Sequence, residues 1–160
     1  MNGLKRHAVL LILLAATVAI LAFIFHNSLQ DGAASNNRSG QIAEIVEPVL
    51  DPRDVVPEEE FHKFVRKMAH FLEFCMLGVS AALLAMHVSA KYVRCSVFTP
   101  LFVVLLSAVV DEFIQSFTGR TSAVSDVLID FAGATVGILL AYGVGRIVAF
   151  MLHQRIQHAG

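Results

Sequence analysis

The sequence predicts an all-α polytopic membrane protein: four transmembrane helices, with an amphipathic extracytoplasmic segment after the first. Three observations carry this prediction. Apolar residues make up 56% of the 160 positions. They gather into four runs, at 8–25, 68–88, 96–117 and 127–152, each near or above the ~20 residues that cross a bilayer core at 1.5 Å per residue. The long polar interruption falls once, between the first run and the second. One membrane domain over 1–160 is expected, with an outer loop at 26–66.

The first run follows Lys5 and Arg6. It is longer than the usual apolar region of a signal peptide, and no small-x-small cleavage site directly follows it, so an uncleaved signal anchor is expected. From Asn27 to Pro57 the chain turns polar, starting rich in Ser, Asn and Gly. Within it Ile42, Ile45, Val46, Val49 and Leu50 recur at helical spacing, which predicts a short amphipathic helix over 41–50. That helix is expected to lie on the outer membrane face or to cap the bundle.

Pro57 followed by Glu58, Glu59 and Glu60 is a helix start, with proline expected at the first helical position and acids in the positive first turn. The second membrane helix is therefore expected to begin outside the bilayer and to enter it near Met68. Thr99-Pro100 starts the third helix. The linker 118–125 makes the third and fourth helices antiparallel neighbours, with Ser125 as N-cap of the fourth. In that last helix Gly133, Gly137, Ala141 and Gly145 form a small-xxx-small row, a surface on which another helix can approach closely.

Charge settles less. Twelve basic against thirteen acidic residues leave the chain near neutrality and suggest no nucleic-acid partner. Cys75 and Cys95 have no CxxC spacing and are read as unpaired and inert. With the N-terminus inside, basic residues divide six and six, so the positive-inside rule gives a tie. The Lys5-Arg6 pair abutting the first span favours cytoplasmic termini, and all thirteen acids then lie outside or in the outer half of a helix.

The functional signal is ionisable residues within apolar helices, where charge is expensive and chance rarely leaves a cluster. Arg66, His70 and Glu73 fall on one helix face by their i, i+4, i+7 spacing. Ser107, Asp111 and Gln115 fall on a second, and Asp126 and Asp130 on a third. All sit toward the same expected end of the bundle, which predicts an outward-opening polar pocket. His70, Glu73, Asp111 and Glu112 are its candidate catalytic residues. Lys67, Gln115, Arg120, Asp126, Asp130 and Ser28 are its candidate binding residues. His62 and His87 are read as interfacial, and His26, bordering the first span near Ser28, is ambiguous.

At these positions the chain resembles the VanZ-like family of small bacterial membrane proteins. The shared motifs are Arg66-Lys67-x-x-His70-Phe71-x-Glu73, Asp111-Glu112-x-x-Gln115, Gly119-Arg120, Asp126-Val127-x-x-Asp130 and Gly133 to Gly137, with Phe25-x-x-Ser28 at the end of the first span. The resemblance spans roughly residues 9–145. It implies a multi-pass protein of the bacterial cytoplasmic membrane, acting in the cell envelope and linked to tolerance of teicoplanin-type glycopeptides. It supplies neither a reaction nor the identity of any cofactor, and at position 130 the family pattern allows Asp or Asn.

Four readings of the constellation follow. The charges can staple helices, His70, Lys67 and Arg120 pairing with Asp126, Glu73 and Glu112. They can bind an amphiphile, such as a lipid-linked envelope precursor or an acyl-bearing lipoglycopeptide, with carboxylates and Arg120 at the headgroup and apolar walls below. They can catalyse, His70 serving as a base, or His70 and Glu73 with Asp111, Glu112, Asp126 and Asp130 holding a divalent ion, magnesium or calcium before zinc, although no metal is assigned and Ser28 is only a candidate nucleophile. Transport fits least, because no inverted repeat is visible and the polar residues stop half way across.

Overall fold

A computed structural model of the chain describes residues 3–30, 32–53, 55–118 and 123–158. Those residues form five helices and no strand: α1 (Gly3–Ser28), α2 (Gly32–Leu50), α3 (Glu58–Lys91), α4 (Phe98–Ser116) and α5 (Val124–His158). Four of them, all but α2, are long and apolar enough to cross a membrane. The side chains agree. Leu11, Ile12, Phe102, Phe113, Leu139 and Phe150 are all more than half exposed, spread over three helices. Apolar surface on that scale is unstable in water. A helix satisfies its own backbone polar groups, so lipid can cover it without penalty. The chain is a multi-pass membrane protein whose environment is the bilayer.

The helices differ in reach. α4, with 19 residues, is ~28 Å long, about one hydrocarbon thickness. α3, with 34 residues, is ~51 Å long and must project beyond it. Its first two to three turns carry Glu58, Glu59, Glu60 and Lys63, and α2 packs there through Ala43 against Phe61 and Val65.

The core is built on the crossing of α3 and α5, the most extensive helix contact in the fold. A Cβ added at Gly78 would overlap the Ala134 carbonyl. Added at Gly133 it would overlap that of Phe71, and at Gly137 that of Cys75. Phe71 meets Gly133, Cys75 meets Gly137 and Met86 meets Gly145, rising numbers with rising numbers, so α3 and α5 run parallel, backbone against backbone, as small residues permit. Farther along, Gly145 receives the Met86 thioether end. Phe74, Leu77, Val104 and Ile138 fill the space behind this seam and are buried. α1 runs antiparallel to α3: Asn27 meets Glu73, Thr17 shares a 2.8 Å hydrogen bond with Ser80, and Tyr92 Oη lies 3.3 Å from His7 Nδ1.

Three local expectations change. The helix expected at 41–50 begins at Gly32, nine residues earlier, because the Ser/Asn-rich stretch continues the helix instead of forming a loop. In α2, Ile45 and Val49 are exposed while Ala43 is buried. Pro57, expected at the first helical position, is the N-cap: its ψ of 136° is extended and the helix starts at Glu58. Ser125 lies inside the first turn of α5, which starts at Val124, and its hydroxyl turns to Asp126. Cys75 and Cys95 are both free thiols.

Candidate functional site

The parallel α3–α5 pair brings His70, near the start of the apolar part of α3, beside Asp130, two turns into α5. α4 closes against them with its C-terminal end, bringing Asp111. His70 Nδ1 stands 3.9 Å from Asp111 Oδ2 and 3.9 Å from Asp130 Oδ1. These are ion-pair separations, too long for direct hydrogen bonds. Both carboxylates are sealed from solvent, with Asp111 at 0% and Asp130 at 2% exposure. One donor atom from each of the three residues lies within 4.8 Å of the other two.

Asp111 is held on its far side by α1 and by its own helix. The Ser28 hydroxyl donates to Asp111 Oδ1 at 2.6 Å. One turn beyond Asp111, the Gln115 amide donates to Oδ2 at 2.7 Å and approaches Ser28 Oγ at 3.4 Å. Ser28 and Gln115 are both buried. Thus Ser28, Asp111 and Gln115 form a closed polar network in which both carboxylate oxygens have donors. Buried polar groups tolerate low dielectric when every member is satisfied.

Glu112 points differently although it follows Asp111 directly. Its Oε1 accepts the Ala123 backbone N–H at 2.7 Å, tying the end of α4 to the entrance of α5. Its Oε2 is buried and has no hydrogen-bond partner among the described residues. Glu112 lines a cavity of about 180 Å³ together with Arg66, Lys67, His70, Asp126 and Asp130. Lys67 Nζ and Asp126 Oδ1 form an ion pair at 3.1 Å on the half-open rim. The Arg66 guanidinium donates to Asn36 Oδ1 at 2.9 Å, so α2 supplies part of the wall.

Glu73 faces a second recess, of about 240 Å³, which has Arg66 and His70 as shared walls with the first. There it accepts a 3.0 Å hydrogen bond from the Asn27 side chain. Phe23, Ile42, Val65 and Ala69 add apolar surface to this recess.

Of the residues singled out in the sequence, His70, Asp111 and Asp130 gather with one donor atom each within 4.8 Å of the others, and Ser28 and Gln115 support Asp111. Glu112, Lys67 and Asp126 line the first cavity. Glu73 belongs to the neighbouring one. Arg120 and Gly119 lie outside the described residues. Of the pairs considered for stapling, Lys67 and Asp126 meet each other, His70 stands at ion-pair distance from Asp111 and Asp130, and the pairing of Arg120 lies outside the described residues. Sequence reasoning missed Asn27 and Asn36. Asn27 had a signal, since it adjoins Ser28 at the end of an apolar run, whereas Asn36 was hidden in a stretch read as loop.

Chemically, the arrangement offers two sealed carboxylates about one imidazole, with cationic side chains at the mouth. Such a site can take up a cation inside and an anionic group at the rim. Comparison with curated proteins and with solved structures gave no match. The VanZ/LLP1 family model matches residues 11–149, which takes in all of α2, α3 and α4, most of α1 and α5, and each of the motifs above. The chain belongs to the VanZ/LLP1 family.

Proposed function

We propose that the two adjoining recesses bind one amphiphile of the cell envelope, the polar headgroup in the first and the start of its hydrocarbon chain in the second. The observation that carries this is their common wall. Arg66 and His70 face both, and the polarity changes across them, from Lys67, Asp126 and Asp130 on one side to Phe23, Ile42, Val65 and Ala69 on the other. A headgroup with a phosphate or carboxylate would meet Arg66 and Lys67, the side chains suited to oxyanions. The residues named as candidates in the sequence take these roles: Lys67 and Asp126 at the mouth, His70 and Asp130 at the floor, Ser28 and Gln115 behind Asp111.

In this reading the polar end of the bundle faces outward from a bacterial cytoplasmic membrane, both termini are cytoplasmic, and residues 1–160 act as one membrane domain. The occupant is a lipid-linked envelope precursor or an acylated glycopeptide of the teicoplanin kind, and glycopeptide tolerance would follow from its capture. The test is ligand-dependent thermal stabilisation of the purified chain in detergent. A polyprenyl-linked diphosphate precursor and teicoplanin are compared with the same headgroups stripped of their chains. Binding requires both halves, so stabilisation should appear with the intact amphiphiles and vanish without the lipid. Equal responses to both forms would defeat the amphiphile reading.

A second reading is catalysis on that headgroup, favoured by His70 standing equally far from two buried carboxylates. It predicts that Glu112→Gln or His70→Gln leaves ligand-induced stabilisation intact while abolishing turnover.

A further inference from the structure

We infer that His70, Asp111 and Asp130 form a binding site for one divalent cation, with its open coordination positions turned into the first cavity. The inference does not depend on what amphiphile, if any, occupies that cavity.

Geometry comes first. Two separations of 3.9 Å meet at His70 Nδ1, and the three donor atoms lie within 4.8 Å of one another. A triangle with two edges of 3.9 Å and a third of at most 4.8 Å is circumscribed by a circle of radius about 2.0–2.5 Å. That interval spans the metal–ligand distances of Zn²⁺, Mg²⁺ and Ca²⁺ to nitrogen and oxygen. His70 Nδ1 thus stands beyond direct hydrogen-bond distance of either carboxylate, at a spacing that admits an ion between them. One imidazole and two carboxylates form an N/O set of intermediate hardness, suited to Mn²⁺ or Zn²⁺ with Mg²⁺ as a weaker competitor.

Support for the ligands comes next. Metal-binding carboxylates are themselves held by hydrogen bonds. Asp111 is held by Ser28 at 2.6 Å and by Gln115 at 2.7 Å, both from buried side chains. This leaves its carboxylate fixed with its Oδ2 edge toward His70.

Independent of the triangle, Glu112 points to the same conclusion. It is 95% buried, and its Oε2 has no hydrogen-bond partner among the described residues although it belongs to the wall of the cavity shared by His70 and Asp130. A buried carboxylate oxygen without a donor is costly. Waters on a cation at the triangle would supply donors to it.

The experiment uses the full chain purified in detergent, stripped with chelator and titrated with Mn²⁺, free ion being counted by its paramagnetic resonance. One tight Mn²⁺ per chain is expected, displaced by Zn²⁺, with metal-dependent stabilisation against heat. Asp111→Asn and Asp130→Asn should each weaken binding at least tenfold. Glu58→Gln/Glu59→Gln/Glu60→Gln, which removes the acidic surface at the start of α3, should leave it unchanged. Because the Asn variants could fail by unfolding, each is first checked for monodispersity and metal-free thermal unfolding. The thermal shift of the unmutated chain gives a reading that needs no variant. Absence of stoichiometric Mn²⁺ or Zn²⁺ binding by the unmutated chain would overturn the inference. So would tight binding retained in a folded Asp111→Asn/Asp130→Asn chain, or lost in the surface triple variant. No lipid enters these measurements, so their failure is separable from failure of the amphiphile reading.

Discussion

Ser28 and Asp111, 83 positions apart, are joined by a 2.6 Å hydrogen bond in which the serine hydroxyl donates to the carboxylate at full burial. The bond links the last residue of α1 to the interior of α4. It also accounts for a serine at the end of an apolar span: its hydroxyl is engaged by a buried carboxylate instead of opening to the membrane face.

Removing that donor should therefore be costly. Ser28→Ala leaves one oxygen of a buried carboxylate short of a partner, a loss of about 1–3 kcal/mol. A lowered thermal midpoint in detergent is expected, with Ser28→Thr falling much less. If Ser28→Ala and the unmutated chain unfold together, the bond does not contribute to stability.

The α3–α5 seam makes a sharper demand. Gly133→Val and Gly137→Val place atoms against the Phe71 and Cys75 carbonyls, where only backbone movement could relieve the overlap. Folded yield should collapse for either. Gly143→Ala meets nothing within 4 Å and lies mid-helix, where alanine is preferred by about 1 kcal/mol, so unchanged or raised stability is expected. Fluorescence-detected size-exclusion profiles of the three variants provide the comparison.

The rim pair should behave as a surface contact. Lys67 and Asp126 are 42% and 30% exposed, and pairs of that kind contribute ~0–1 kcal/mol, less at high salt. Lys67→Met should shift thermal stability very little. If the cavity takes an anionic headgroup, however, the same change should weaken ligand-induced stabilisation several-fold. Loss of stability without loss of ligand response would reverse the assignment of Lys67 from binding to stapling.

Orientation can be read with thiol probes. In a Cys75→Ala/Cys95→Ala background, Asn37→Cys in α2 and Gln157→Cys near the end of α5 should react from opposite sides of the membrane. In intact cells an impermeant maleimide should label position 37 and spare 157. The reverse pattern would place the cavity on the cytoplasmic side.

Much of the architecture is written locally. An apolar run long enough to cross hydrocarbon is a property of consecutive residues, and so is the i, i+4 spacing that sets Asp111 and Gln115 on one face. The row Gly133, Gly137 announced a close helix approach for the same reason, because absence of a Cβ is visible in the residue itself. Turn-level details were less secure. Pro57 and Ser125 are each displaced from their expected capping positions by one or two residues, since helix ends depend on which neighbouring backbone groups find partners.

What sequence alone determined is thus the set of membrane helices and the faces on which their charges lie. Tertiary structure decided which faces meet. Spacing put Glu73 with Arg66 and His70, and all three line the second recess, where α1 adds Asn27; only the fold showed that Glu73 stays out of the first cavity. Spacing could not connect Ser28 to Asp111, or Asn36 to Arg66, because those contacts join helices that are distant along the chain. The reason is physical: periodicity specifies directions around one helix axis, while rotation and depth against a neighbour follow from interhelix contact, as at Gly78, Gly133 and Gly137 between α3 and α5.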